Sequence, residues 1–176
     1  KWFNSSYAVL TSLNGWDCSR FGGLAVNDTN AAVVQELLKS WWEVSDRASA
    51  DENLDWILTE GHRANFISEM KTLEEAGLGS VAAEERPEFI LGVYELDGAT
   101  AEIYSKCYSA YEAAGEKAID GWDYCRALNL LGYYYTAGYY TDVEALDKSL
   151  EIAQIVQAEF GSWDELVESY MVGYEY

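Results

Sequence analysis

His62 is the only histidine in the chain, and that alone thins the chemistry the sequence can support. A Ser-His-Asp or Cys-His pair would have to be built on this one residue. No HExxH run, His₃ set or Cys₂His₂ set can be assembled around it, so no metal is expected. Hydrogen bonding at a helix corner is a plainer role for such a histidine than general-base work. Farther along, Asp123, Arg126 and Asn129 fall at i, i+3 and i+6, a narrow polar line on an otherwise apolar stretch. A buried arginine cannot shed its charge, so Arg126 needs a carboxylate or carbonyls within reach, and Asp123 one turn back is the nearest candidate. Cys18, Cys107 and Cys125 are odd in number and widely spaced, which suits buried small apolar residues better than a redox or metal site. Phe21-Gly22-Gly23 is a turn without a following lysine, and no phosphate-cradling glycine motif occurs. With 31 acidic residues, carboxylate pairs say almost nothing about glycosidase-type catalysis. No cofactor is expected.

The elements that must position these residues read as helices. One proline in 176 residues, with apolar spacing of period 3.6 over most of the length, predicts an all-α fold. The expectation is a single compact domain, residues 1–176, of about seven or eight mostly antiparallel helices. A first helix is expected over Trp2 to Leu13, then a turn-rich stretch from Asn14 to Asn30 whose last residue caps a helix over Ala31 to Glu43. Val34, Leu37, Leu38 and Trp41 are its expected core face. Leu54, Ile57 and Leu58 form one apolar stripe and Phe66, Met70 and Leu73 another, out of phase by more than about a quarter turn. One straight helix cannot bury both, which places a corner at Glu60-Gly61-His62-Arg63. Pro87 opens a short helix through Tyr94, and Asp97-Gly98 punctuates the chain before a helix from Ala99 to Ala114. The helix near 120–137 has no charged face wide enough to meet solvent and is expected at the centre. Gly132 and Ala145 suggest close approach between it and the next helix. That helix starts at Thr141 with a capping box to Glu144, Ser162 caps the last one, and Val143, Leu146, Leu150, Ala153 and Phe160 are read as the inward stripe between.

Charge excludes further classes. The net charge is −20, spread as −8 over residues 1–88 and −12 over residues 89–176, so there is no separable acidic tail and no basic stripe for phosphates. Nucleic-acid binding is not expected, and no apolar run is long enough to span a bilayer. Yet 49% of the residues are hydrophobic and 15% aromatic, which is ample material for a core. A first residue other than Met is expected of a processed chain, which favours an exported or lipid-anchored protein with a cytoplasmic one as the alternative.

The stretch GWDYCRALNLLGYYYTAGYYTDVEAL at 121–146, followed by SWDELVESYMVGYEY at 162–176, resembles the bacterial family known as domain of unknown function 1266. WWEVSDR at 41–47 and LDWILTEGHRANF at 54–66 resemble its first block, in the right order. The resemblance covers most of the chain, with residues 14–30 and 78–118 matching least. It implies a compact helical domain without an established activity. The polar residues shared with that pattern are Asp46, Arg47, Glu60, His62, Arg63, Asp123 and Arg126, flanked by Trp42, Trp56, Trp122 and Trp163. Three of the five arginines are in this set.

These observations support three readings. The first is a non-catalytic binding or protein-interaction module, with Arg47, His62, Arg63, Trp122, Asp123, Arg126 and Trp163 as binding residues for a small anionic ligand or a protein partner. The second is an enzyme or small-anion site in which His62 and Asp123 do acid-base work beside Arg63 and Arg126. In the third, the same residues are structural ion pairs.

Overall fold

A computed structural model describes residues 1–176, which form ten α-helices and no strands. The helices are α1 Trp2–Ser6, α2 Ala8–Leu13, α3 Asp28–Trp42, α4 Arg47–Thr59, α5 Arg63–Glu75, α6 Arg86–Val93, α7 Gly98–Ala114, α8 Asp120–Ala137, α9 Asp142–Glu159 and α10 Trp163–Glu175. The chain divides into two compact units, Lys1–Thr59 with Tyr124–Gly161, and Glu60–Asp123 with Ser162–Tyr176. The boundary at Thr59 is the corner that the two out-of-phase stripes require. Gly61 turns it with a φ of 61°, a left-handed conformation that side-chain-bearing residues resist.

In the first unit, the buried side chains include Val34 and Leu38 of α3, Leu54 and Ile57 of α4, Leu128, Leu131 and Tyr134 of α8, and Ile152 and Val156 of α9. Thr141 and Glu144 form the expected capping box at the start of α9. Other local expectations are corrected. The first helix breaks at Tyr7, because its buried ring is pinned from both sides: the hydroxyl donates to Asn4 Oδ1 at 2.9 Å and accepts the Gly22 N–H at 3.3 Å. Asn27, not Asn30, caps α3 by accepting the Asn30 N–H at 2.9 Å, and the Asn30 side chain instead donates to the Ala25 carbonyl at 2.7 Å. On α9 the inward face is Ala145, Ser149, Ile152, Ala153 and Val156, while Val143, Leu146 and Leu150 are exposed. Small Ala and Ser side chains let a helix seat closely, and this outweighs the greater hydrophobicity of the other face. Gly132 does provide a close approach, but to the turn Phe21–Gly23: a Cβ added there would lie 2.5 Å from Gly22 Cα.

The second unit is built on α6, α7 and α5, with α10 also against α7. Its core joins Phe66, Met70 and Leu73 of α5, Leu78, Ile90 of α6, Ala101, Cys107 and Tyr108 of α7, and Ile119. Asp97 caps α7 through the Thr100 N–H at 2.9 Å, and Ser162 caps α10 through the Glu165 N–H. The first turn of α8 docks on α10 in this unit. Ser169 Oγ accepts the Gly121 N–H and donates to the Ala118 carbonyl, both at 2.9 Å. No residue of α8 is exposed, as its apolar circumference predicts. No helix is long and apolar enough to cross a membrane.

Candidate functional site

The corner before α5 assembles His62, Arg63 and Asp123 around one buried carboxylate. Asp123 is fully buried; its Oδ1 accepts the His62 N–H at 3.1 Å and lies 2.8 Å from the His62 ring Nδ1, while Oδ2 accepts the Arg63 N–H at 3.1 Å. Those two main-chain groups belong to the start of a helix, whose first N–H groups have no intrahelical acceptor. His62 does not cap with its own side chain, so Asp123 supplies the cap from α8. A carboxylate only accepts, so the His62 Nδ1 carries the proton in this contact. The Arg63 guanidinium, nearly buried, stands 3.5 Å from Asp120 and 3.8 Å from Asp123. Trp122 shares the corner, edge-on to His62 at 6.2 Å between ring centroids and tilted against Tyr170 at 5.1 Å. Glu60 is exposed, and Trp163 is a half-exposed residue at the first turn of α10.

Arg47 has a different set of partners, in the first unit. Its Nε donates to Asp51 at 2.9 Å and its Nη1 to Glu144 at 3.0 Å, and its guanidinium lies 4.4 Å over the Tyr140 ring. It thereby ties the start of α4 to the start of α9. Asp46, just before, caps α4 through the Ser49 N–H at 2.9 Å. The main-chain N–H of Thr141, then its hydroxyl and then Arg47 hold the Glu144 carboxyl down at about 2. Tyr140 donates to Asp51 and Tyr134 to Asn53, so α4 is fastened at several points.

Arg126 lines a cavity of about 300 Å³ in the first unit. Leu10 of α2, Leu37, Trp41 and Trp42 of α3, and Tyr133 of α8 give its apolar and aromatic wall, and Asn14, Arg126 and Asn129 its polar groups. Arg126, Asn129 and Tyr133 stand at i, i+3 and i+7, so one face of α8 supplies all three. The guanidinium is 4.3 Å over the Trp42 ring, within cation–π range. Asn129 is 2% exposed, and its Nδ2 has no hydrogen-bond partner. A buried donor left unmade costs about 1–3 kcal/mol, so a structure that keeps one asks for an explanation. Leu37 is only half-buried and Trp41 is 81% exposed, against the expectation that both are core; they form the cavity wall and rim.

Apart from Trp163, the site residues read from the sequence have these partners: His62, Arg63 and Trp122 gather at Asp123, Arg47 pairs with Asp51 and Glu144, and Arg126 lies over Trp42. Asn129 and Tyr133 were missed as site residues, although the line Asp123, Arg126, Asn129 on an apolar helix was the signal for the first of them. Arg86 was missed too. It is nearly buried, pairs with Glu112 at 2.7 Å, donates to Ser109 at 3.1 Å, and lies 5.2 Å over Tyr108. Burial pushes the thiols of Cys107 and Cys125 up to about 12, which keeps both protonated and unreactive near neutrality.

No curated protein and no solved structure matches the chain. Residues 37–176, a span that holds every one of these residues, match the family described as "Protein of unknown function (DUF1266)", and the chain belongs to that family.

Proposed function

We propose that this chain is a non-catalytic binding domain whose ligand site is the Arg126 cavity of the first unit. The observation that carries the reading is the Asn129 Nδ2 donor, buried and unpartnered on the wall of a cavity that also presents a guanidinium and two tryptophans. A concave, mostly apolar surface with a few convergent polar groups is the usual form of a small-molecule site, and about 300 Å³ is at the small end of that range. A protein partner would meet the same place through Trp41, whose ring stands free at the rim.

The corner site supports catalysis less well. Its carboxylate accepts two main-chain N–H groups, which is a capping task, and the ring of His62 is held by the same atoms.

The reading is tested by nuclear magnetic resonance on the full chain with a set of neutral fragments of about ten heavy atoms, the number that 300 Å³ holds at the share of one water each. Fragments are expected to move the indole resonances of Trp41 and Trp42 together with the side-chain amide of Asn129. Shifts that gather at other residues, or none at any fragment concentration, overturn the proposal. Leu37→Trp, which fills the cavity from α3, is expected to abolish the shifts while the fold is retained.

A further inference from the structure

We infer that the outer face of α10 is a docking surface for a basic amphipathic helix of a partner protein, a site in the second unit that does not depend on the Arg126 cavity. α10 turns its buried side chains, Leu166 and Tyr170 among them, inward. Beside that buried face it carries a second apolar line. Trp163, Val167, Met171 and Tyr174 stand at i, i+4, i+8 and i+11, within about a quarter turn of one another, and run about 16 Å along the helix. Trp163 is 45% exposed, Val167 44% and Tyr174 53%, and Met171 is half-buried. Single exposed apolar side chains are ordinary on a protein surface, whereas a contiguous line of them marks a contact.

The residue types in the line suit an interface. Tyr and Trp are frequent anchors of protein contacts, and Met adapts its shape to what it meets. The anchor at the far end is held before a partner arrives. The Tyr174 ring lies edge-on to Trp122 at 6.0 Å between centroids, and Trp122 is tilted against Tyr170 at 5.1 Å, so docking there costs little side-chain freedom.

The flank of the line selects the occupant. Asp164, Glu168 and Glu175 follow on the next quarter turn, all exposed, and α10 has no lysine or arginine. Lys106 of α7 stands 3.8 Å from Glu175, while Asp164 and Glu168 close no ion pair. An apolar line edged by such carboxylates fits a partner with its own apolar line edged by lysine or arginine. A second copy of the chain brings a further −20 and the same acids, so it is the poorer match. The partner segment is a helix. An extended segment would set its main-chain N–H and C=O groups against rings and methyl groups with no strand edge to pair them, whereas a helix satisfies its own.

The probe is a synthetic helical peptide of about 18 residues, or about 27 Å, with leucines at i, i+3, i+4 and i+7 and lysines along their flank. Two controls go with it: the same peptide with glutamate for lysine, and an isomer of the same composition with the leucines spread around the helix. Each is titrated into the full chain at physiological salt, read by the Trp163 indole resonance and by calorimetry. The basic amphipathic peptide is expected to bind and to move Trp163, its isomer to bind at least about tenfold more weakly, and the acidic version not to bind. Trp163→Ala and Tyr174→Ala are each expected to weaken binding about tenfold, and Asp164→Asn with Glu168→Gln to flatten its salt dependence. Leu150→Ser, on the exposed apolar side of α9, is expected to leave binding unchanged. Circular dichroism confirms that each variant folds, and the peptide series on the parent chain decides the matter even if one does not. Equal binding of the isomer, which would reflect attraction to the net charge alone, overturns the inference. So do shifts that gather away from α10, no binding of any peptide, or self-association of the chain that Trp163→Ala abolishes.

Discussion

Asp123→Asn keeps the shape of the side chain and turns one acceptor oxygen into a donor. In the parent protein the buried carboxylate receives the His62 N–H, the His62 ring and the Arg63 N–H, with the Arg63 guanidinium 3.8 Å away. An amide NH₂ must face one of those donors, which leaves a buried pair unmade at about 1–3 kcal/mol, and the hydrogen bonds that remain lose their charge assistance. The expected loss is about 3 kcal/mol, rising to about 3–5 kcal/mol for Asp123→Ala, which also removes a carboxylate from beside Arg63. Urea denaturation at pH 7, followed by far-ultraviolet circular dichroism, measures it as a lower midpoint at unchanged slope. A double-mutant cycle with His62→Phe then separates two roles for the carboxylate. If Asp123 acts as the cap of α5, most of the loss persists when His62 is already Phe. If it acts only by holding the histidine ring, the loss disappears in that background. A change below about 0.5 kcal/mol for Asp123→Asn, the range of an ordinary surface substitution, refutes the capping argument outright.

Other consequences of the packing and charge are open to simple measurements. Gly132→Ala puts a Cβ 2.5 Å from the Gly22 main chain, so overpacking of about 1–3 kcal/mol outweighs a helix-propensity gain of up to about 1 kcal/mol, and the melting temperature falls. Gly92→Ala, with nothing within 4 Å on α6, is the control and leaves stability unchanged or raises it. A thiol reagent applied to the native protein modifies exposed Cys18 and spares buried Cys107 and Cys125, and reacts with all three in denaturant; native labelling of Cys125 contradicts the burial of α8. Glu144 is held below its ordinary 4.5, so its contribution is complete above that pH and is lost as the pH falls towards about 2; Glu144→Gln removes this part of the acid sensitivity of the denaturation midpoint. Burial lifts the Tyr7 hydroxyl and the thiols of Cys107 and Cys125 to about 12, so their contribution is full below their ordinary values of 9 to 10 and fades as the pH rises through 12. Tyr7→Phe flattens the alkaline limb of the same curve if that assignment holds.

Much of the fold was legible because its determinants are local. A capping box needs two side chains three residues apart, and a corner follows when two apolar stripes point in directions that one cylinder cannot bury together. The boundary between the two units falls where Leu54 and Ile57 give way to Phe66 and Met70. What could not be read depended on distant partners. Nothing near Tyr7 announces that Gly22 will take its hydroxyl and break the first helix, and Asn27 and Asn30 are equal as caps until the Ala25 carbonyl claims one of them. The face of α9 was misread for a related reason. Hydrophobicity ranks Val143, Leu146 and Leu150 above Ala145 and Ser149, but a tight interface selects for small volume, which a hydrophobic pattern does not weigh.

The candidate site was legible in its residue types and hidden in its partners. Scarce arginines in an acidic, aromatic-rich chain have carboxylates and rings in excess around them, so each can be paired and each can also be stacked. Arg47 lies over Tyr140, Arg86 over Tyr108 and Arg126 over Trp42. An aromatic neighbour therefore does not distinguish one of these arginines from another. Arg47 and Arg86 each close an ion pair between two elements of one unit, α4 with α9 and α6 with α7. Arg126 shares the lining of a cavity of about 300 Å³ with Asn129, a buried side chain whose Nδ2 has no hydrogen-bond partner. Sequence spacing placed Arg126 and Asn129 on one side of α8, but only the arrangement of α2, α3 and α8 leaves a cavity on that side.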